Sequence, residues 1–333
     1  MANYIFKVLH ENDYYLWDRL LKESQSPSPF LNSSWFMTYA AASGEKYQLI
    51  GCYEKEELVA GFGFFYRRKL GKFNVIINLL GVDNYIFYKP RESNFESKKE
   101  SWYFSIYESF ISFLEKDFHH IELTFNTGSQ DVRPFQWNKY SEQIRYTYVG
   151  EIQPPDDMMK CFNPDVRNKI KKAHKLDFRF DISGSSSEIE ISYDLIDRSL
   201  KKNSQPHILG KKQFKLFCQN LIKVNSLIVA NIYLEDEPIA TRVIVHNDKL
   251  AIDFQAGGNE EMFNTGLNQL LSLKIFEELH AKGIEMYDFR GANTPSVARY
   301  KSSFNMKAQP YYVLSKDKGF LLKTLLFVKN RFL

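Results

Sequence analysis

The residues with the clearest chemistry lie near the end of the chain. Lys301, preceded by Arg299 and Tyr300, follows a strand-like run from Ile284 to Phe289 and a break at Arg290-Gly291-Ala292-Asn293. Thr294 can cap a helix with Pro295 at its first position, where a missing N–H costs nothing. Lys301 is therefore expected on a short helix beside a strand end, where ligands gather in open α/β sheets. A cationic head in that place can stabilise an oxyanion, as in acyl transfer, or can simply be a solvated lysine. Acyl transfer to an amine needs a polarised carbonyl, a stabilised oxyanion and two reactants held together. Tyr300 can stack on a substrate or pack in the core.

Two carboxylates and one basic segment add to this. Asp253 and Asp288 each sit in an otherwise apolar strand, which is costly unless the charge is paired or used. Asp253 reads as a general base for the attacking amine if burial raises its pKa, and Asp288 as the anchor of the Gly291 turn. Arg242 and Arg290 are the cations at hand as partners, with Arg290 also able to meet substrate. Arg167, Lys169, Lys171, Lys172, His174 and Lys175 make one predicted helix strongly basic. The Arg167 fork matches phosphate oxygens and suits a nucleotide-linked or tRNA-linked substrate; the plain alternative is a solvated face with Ile170 and Ala173 inward. Gln205-Pro-His-Ile-Leu-Gly210 reads as an acceptor-side loop offering Gln205 and His207. Cys218 falls on an apolar helix face and reads as core. His119-His120 lacks a third ligand at suitable spacing, so no metal is expected.

The elements that must position these groups alternate between strand and helix. Helices are expected over about 13–22, 33–43, 98–116, 165–175, 188–202, 211–224 and 267–282. Hairpins join 47–53 to 58–67 and 227–234 to 238–246, and single strands fall at 121–125, 143–150, 178–182, 249–254 and 308–314. Each half repeats one order: helices, hairpin, strand, helix, buried strand, turn, short helix, strand. Pro154-Pro155 punctuates the middle, so domains are expected at 1–153 and 154–333. A duplicated α/β unit with mixed β-sheets covered by helices is the natural reading.

Bulk properties narrow the class. The chain has 333 residues, 44% of them hydrophobic and 16% aromatic, enough for two sizeable cores. A net charge of +4 permits a phosphate-bearing partner without demanding one. The Cys at 52, 161 and 218 show no pair spacing, which points to a reducing, cytoplasmic setting without a disulfide framework. The first residues do not read as a signal peptide. The final segment, 317–333, reads as an apolar, basic helix able to make peripheral contact with the inner face of a membrane or to pack on the chain itself.

Two motifs carry a family resemblance. Asp288-Phe-Arg-Gly-Ala-Asn293 with Ala298-Arg-Tyr-Lys-Ser-Ser-Phe304 resembles the DFxG…FKxxF segment of the FemABX-like branch of the GNAT acyltransferase superfamily, Tyr300 replacing the usual Phe. Arg167-Asn-Lys-Ile-Lys-Lys-Ala173 resembles that family's RxxIxKA helix. The resemblance implies two tandem GNAT-like domains, a catalytic role for Lys301, and transfer of an acyl or aminoacyl group to an amine of a cell-envelope or polysaccharide precursor. It also implies a donor that is either acyl-CoA or aminoacyl-tRNA, with no tightly bound cofactor. GNAT enzymes that use acyl-CoA carry a Q/R-x-x-G-x-G/A turn before a helix, whose N–H groups hold the pyrophosphate. The matching stretch here supplies Gln255, Gly257, Gly258 and Gly266, but Glu260 stands where a small residue belongs, and Glu260 and Glu261 would repel phosphates. The alternatives are an inactive GNAT-like module binding RNA or a nucleotide sugar, and an ordinary acetyl-CoA-dependent N-acetyltransferase.

Overall fold

A computed structural model describes residues 4–25, 27–69, 73–128, 131–205 and 207–318. The expected membrane-contacting helix at 317–333 therefore lies outside the described residues except at its first positions. In chain order the elements are β1 (Tyr4–Val8), α1 (Tyr14–Glu23), α2 (Ser33–Ser43), β2 (Lys46–Glu54), β3 (Glu57–Lys69), β4 (Phe73–Ile77), β5 (Phe87–Tyr88), α3 (Glu96–Asp117), β6 (His120–Thr124) and α4 (Arg133–Trp137). There follow β7 (Ser141–Glu151), α5 (Pro155–Cys161), α6 (Pro164–Ala173), β8 (Phe178–Asp181), α7 (Ser186–Lys202), α8 (Lys211–Lys223), β9 (Leu227–Leu234) and β10 (Glu237–His246). The chain closes with β11 (Leu250–Gly258), α9 (Leu267–Ala281), β12 (Met286–Asp288), α10 (Pro295–Ser302) and β13 (Lys307–Asp317).

These elements form two compact units. The first comprises Met1–Ala40, Gly44–Ile144 and Tyr311–Leu333, the second Ala41–Ser43 and Arg145–Pro310. The sequence break at 153/154 differs from this division for one reason. The strand after each short helix, β7 after α4 and β13 after α10, belongs mostly to the other unit, and local punctuation carries no sign of such an exchange.

In the first unit the strands run β1-β2-β3-β4-β6-β13, with β5 against β3. All pairings are antiparallel except β4 with β6. The core is aromatic: Trp17, Phe30, Phe62, Phe64 and Phe110 are fully buried. Phe62 stacks on Phe64 and meets the Phe110 ring edge-on.

In the second unit the order is β7-β12-β11-β10-β9-β8, with β11 and β12 parallel and the other pairs antiparallel. The β9–β10 hairpin turns through Glu235 and Asp236, both at positive φ (50° and 65°), the conformation a two-residue loop needs to match strand twist. α9 is buried on most of its surface, so it shows no narrow apolar stripe. Leu270, Leu271, Ile275, Phe276 and Leu279 join Ile232, Ala240, Ile244, Tyr287 and Phe289 of the sheet in one core. Among the described residues no helix is long and apolar enough to cross a membrane.

Candidate functional site

The site is built where β11 and β12 part. Their parallel pairing covers Leu250↔Met286, Ala251↔Tyr287 and Ile252↔Asp288, then stops. β11 runs on to Gly258, paired only with β10 and bulged between Asp253 and Gln255. Beyond Ile252 the two strands diverge, and the Gly258 N–H donates to Ser199 Oγ of α7 at 3.2 Å.

The chain leaves β12 through a tightly held turn. Asp288 Oδ1 accepts hydrogen bonds from the Arg290 N–H at 2.6 Å and Thr147 Oγ1 at 2.5 Å. Burial raises the Asp288 pKa, and these two bonds offset only part of that effect. The turn is also laced to β7: Ala292 N–H donates to the Tyr146 carbonyl at 2.7 Å, and Tyr146 N–H to Asn293 Oδ1 at 3.0 Å. Arg290 and Gly291 are both left-handed, at φ 48° and 51°. That conformation is free for glycine and costs Arg290 about 1–2 kcal/mol.

Lys301 closes the turn. Its Nζ donates to the carbonyl oxygens of Phe289 at 2.7 Å, of Gly291 at 2.8 Å, and of Arg290 between them. All three ammonium hydrogens are committed, so in this arrangement Lys301 holds the loop and keeps no hydrogen for another acceptor. Burial pushes its pKa down to about 8, with Asp253 and Asp288 working against the fall. Thr294 stands in extended backbone at the start of α10 as expected, but its side chain makes no capping bond; Pro295 and the Lys301 clamp define the helix start instead.

Asp253 faces Arg242 across neighbouring strands. Arg242 Nη1 donates to Asp253 Oδ2 in an ion pair that is almost wholly buried, and Nη2 donates to the Tyr300 hydroxyl at 2.9 Å. Burial opposes the Arg242 charge, but the Asp253 carboxylate together with Tyr300 and Tyr287 outweighs it and raises the guanidinium pKa. Asp253 Oδ1, Arg242 Nε and Gln255 Oε1 are buried and find no hydrogen-bond partner. An unpaired buried carboxylate oxygen costs about 1–3 kcal/mol or more, so a polar group from a ligand would be well received there. Tyr300 contacts Phe304 at 5.3 Å between ring centres. It therefore packs in the core while its hydroxyl serves Arg242.

The expected glycine cradle is otherwise arranged. Gln255, Gly257 and Gly258 lie inside β11 rather than in a loop. A Cβ on Gly257 would fall 2.5 Å from the backbone carbonyl of Leu195 in α7, so that glycine serves helix-on-sheet packing. Gly266 precedes α9 at φ 86°, and a Cβ there would lie 2.2 Å from the Lys169 carbonyl oxygen of α6. The backbone of α6 thus covers the end of α9 where a pyrophosphate would sit. Glu260 of the connecting turn pairs with Lys202.

The remaining expected site residues are dispersed. Arg167 is partly buried, and its Nη1 reaches the Lys160 carbonyl at 3.2 Å, tying α6 to α5. Lys169, Lys171, Lys172, His174 and Lys175 are exposed. His207 packs its ring on Tyr193 and Phe214 of α7 and α8, and burial lowers its pKa. Thr241 meets Ser192 of α7, while its neighbour Arg242 meets Tyr300. Side chains alternate across a strand, so His207 is on the sheet face opposite the Arg242 cluster. Gln205 is exposed in the same connection as His207. Cys218 is fully buried, as an apolar helix face predicts. Arg242 and Thr147 carry more of the site than their sequence context suggested, although a lone Arg within Ile239 to Val245 already required a buried partner.

Comparison with known proteins agrees with this geometry. Residues 162–302 match the family model described as an acetyltransferase (GNAT) domain. No curated protein matches the sequence. Among solved structures, the chain superimposes on the crystal structure of FemX with a TM-score of 0.69 at 9% identity, covering 92% of this chain and 96% of that one. It matches L-PGS from Bacillus licheniformis at 0.56 and 11% identity, covering 97% of each chain. A tandem GNAT protein from the clavulanic acid biosynthesis pathway gives 0.54 at 10% identity, covering 95% of this chain and 99% of that one. Residues 162–302 are thus similar to a GNAT domain, and the chain as a whole shares its fold with FemX and with tandem GNAT proteins. The class of enzyme is acyltransferase.

Proposed function

We propose that the chain transfers an aminoacyl group from an RNA-borne ester to an amine of a cell-envelope or polysaccharide precursor. The observation that carries this choice of donor is the Gly266–Lys169 contact, in which α6 covers the N-terminus of α9. The same helix that closes the pyrophosphate position exposes Lys169, Lys171 and Lys172 to solvent. Clustered lysines bind polyphosphate backbones by charge and counterion release. The envelope acceptor comes from the FemABX resemblance.

The transfer is written with this chain's own groups. The amine nitrogen attacks the ester carbonyl carbon, a C–N bond forms, the ester C–O bond breaks, and the departing hydroxyl takes the proton. The unpartnered Asp253 oxygen receives an N–H of the attacking amine while Arg242 holds the other oxygen in place. The Lys301 charge, fixed in its carbonyl cage, favours negative charge developing on the carbonyl oxygen.

Parallel titrations with acetyl-CoA and with bulk aminoacyl-tRNA test the reading. The expected result is salt-dependent tRNA binding, weakened by charge reversal at Lys169, Lys171 and Lys172, with release of the amino acid to an added amine. Saturable acetyl-CoA binding with acetyl transfer would overturn it in favour of an ordinary acetyltransferase. RNA binding without any transfer would favour an inactive module.

A further inference from the structure

A cavity of the first unit, about 1020 Å³, is lined by β5, the segment after it and the first half of α3. We propose that it binds a cationic amino sugar, the saccharide part of the acceptor. This rests on the reading of the chain as an N-acyltransferase only in naming that ligand the acceptor.

The first argument is the shape and character of the wall. Tyr88 and Tyr103 lie parallel to within 5°, their ring centres 6.0 Å apart. Trp102 and Tyr107 meet Tyr88 edge-on at 5.7 and 6.0 Å, so these rings brace one another into a fixed platform. Flat aromatic faces of this kind receive the apolar C–H face of a pyranose ring and, through their negative π-clouds, attract a cation.

Charge supplies the second argument. The wall carries Glu92, Glu96, Glu100 and Asp131 against Arg91 and Lys99. Lys99 is already paired with Glu96 at 2.6 Å, and Arg91 lies over the Trp102 ring. Arg133 pairs with Glu100 and Asp131, so a diphosphate would find each of these cations already engaged by a carboxylate or a ring, and a nucleotide is disfavoured. Ionised carboxylates are acceptor-only groups, which suits sugar hydroxyls and an ammonium, both donors. Asp131 is held in place by the Tyr103 hydroxyl and by Arg133 Nε, 3.0 Å from each of its oxygens. The volume exceeds what a single lysine side chain would fill, which favours a saccharide over a lysine-bearing peptide.

The test is equilibrium binding of the full chain without any acyl donor, so its result is independent of whether transfer occurs. The probes are a glucosamine trisaccharide, its fully N-acetylated form, UDP and a lysine-containing tripeptide. The expected order puts the glucosamine trisaccharide tightest, with affinity falling as salt rises. Tyr88→Ala should weaken it by about tenfold or more, the equivalent of roughly 1.4 kcal/mol. Because Tyr88 also packs, the exposed pair Glu92→Lys and Glu96→Lys provides a second variant expected to fold normally and to weaken the cationic trisaccharide more than the N-acetylated one. Tighter binding of UDP or of the lysine tripeptide, no trisaccharide binding at millimolar concentration, or binding unchanged in both variants would overturn the proposal.

Discussion

The Tyr300 hydroxyl accepts a hydrogen bond from Arg242 Nη2 at 2.9 Å, joining α10 to the centre of β10. The motif that Tyr300 belongs to has Phe at this position in the resembling family. Here the extra hydroxyl engages Nη2 of an arginine that is only 3% exposed. Tyr300→Phe should therefore destabilise the second unit by about 1.5–3 kcal/mol, the range for a hydrogen bond to a charged group. Chemical denaturation with an unchanged slope would register it; a loss below about 0.5 kcal/mol, the level of an ordinary surface change, would show that the hydroxyl is dispensable.

The Arg242–Asp253 pair makes a stronger demand. Removing one partner leaves the other as an uncompensated buried charge, which costs about 3–5 kcal/mol. Asp253→Ala and Arg242→Met should each approach that loss, whereas the double variant should recover much of it, since two charges leave together. A double-mutant cycle measures the coupling directly. Additive losses would mean that the ion pair contributes nothing as a pair.

Gly266 distinguishes packing from phosphate binding. At φ 86°, with the Lys169 carbonyl oxygen 2.2 Å from where a Cβ would stand, Gly266→Ala must displace α6 or distort the start of α9. A loss above about 2 kcal/mol is expected from backbone strain and steric overlap together. An alanine variant of normal stability would show that α6 moves away easily and that the N-terminus of α9 is accessible after all.

Much of this arrangement is legible in the sequence. Strand and helix order followed from periodicity, and the exit of β12 into a glycine-marked turn and short helix followed from Gly291 and Pro295. Asp288 as turn anchor came from the cost of a lone carboxylate in an apolar strand. Three features were hidden. β11 continues through Gln255, Gly257 and Gly258 because Gly257 admits the α7 backbone, and a Gly-Gly pair reads locally as a loop. The role of Gly266 depends on α6, almost a hundred residues earlier in the chain. The Lys301 contacts arise because the left-handed Arg290 and Gly291 turn successive carbonyls inward, a convergence that no spacing rule contains.

Lys301 gives the sharpest test because its effects on stability and turnover run in opposite directions with pH. Its folded pKa is lowered from 10.5 to about 8, chiefly by burial. Below pH 8 both folded and unfolded chains carry the proton, and the folded state bears the full cost of the buried charge, on the order of 3 kcal/mol. Between pH 8 and 10.5 the folded chain has released its proton while the unfolded chain retains it, so stability rises with pH across that window. Lys301→Met removes the titration, and the stability of the wild type relative to this variant should climb through the same interval. Turnover should do the reverse. If the ammonium is the working form, kcat falls as pH rises through about 8, and Lys301→Met lowers it about 10²–10³-fold, the scale of losing one oxyanion-stabilising group. Lys301→Arg should restore part of the rate and remove the alkaline fall, because a guanidinium keeps its charge but cannot place three donors on the carbonyls of Phe289, Arg290 and Gly291 in the same way. The measurements are denaturation and single-turnover rates from pH 7 to 10 on the donor identified by the binding titrations. A kcat that stays level through this range, with near-normal activity in Lys301→Met, would leave Lys301 as a clamp for the turn and move the search for the stabilising charge to Arg290.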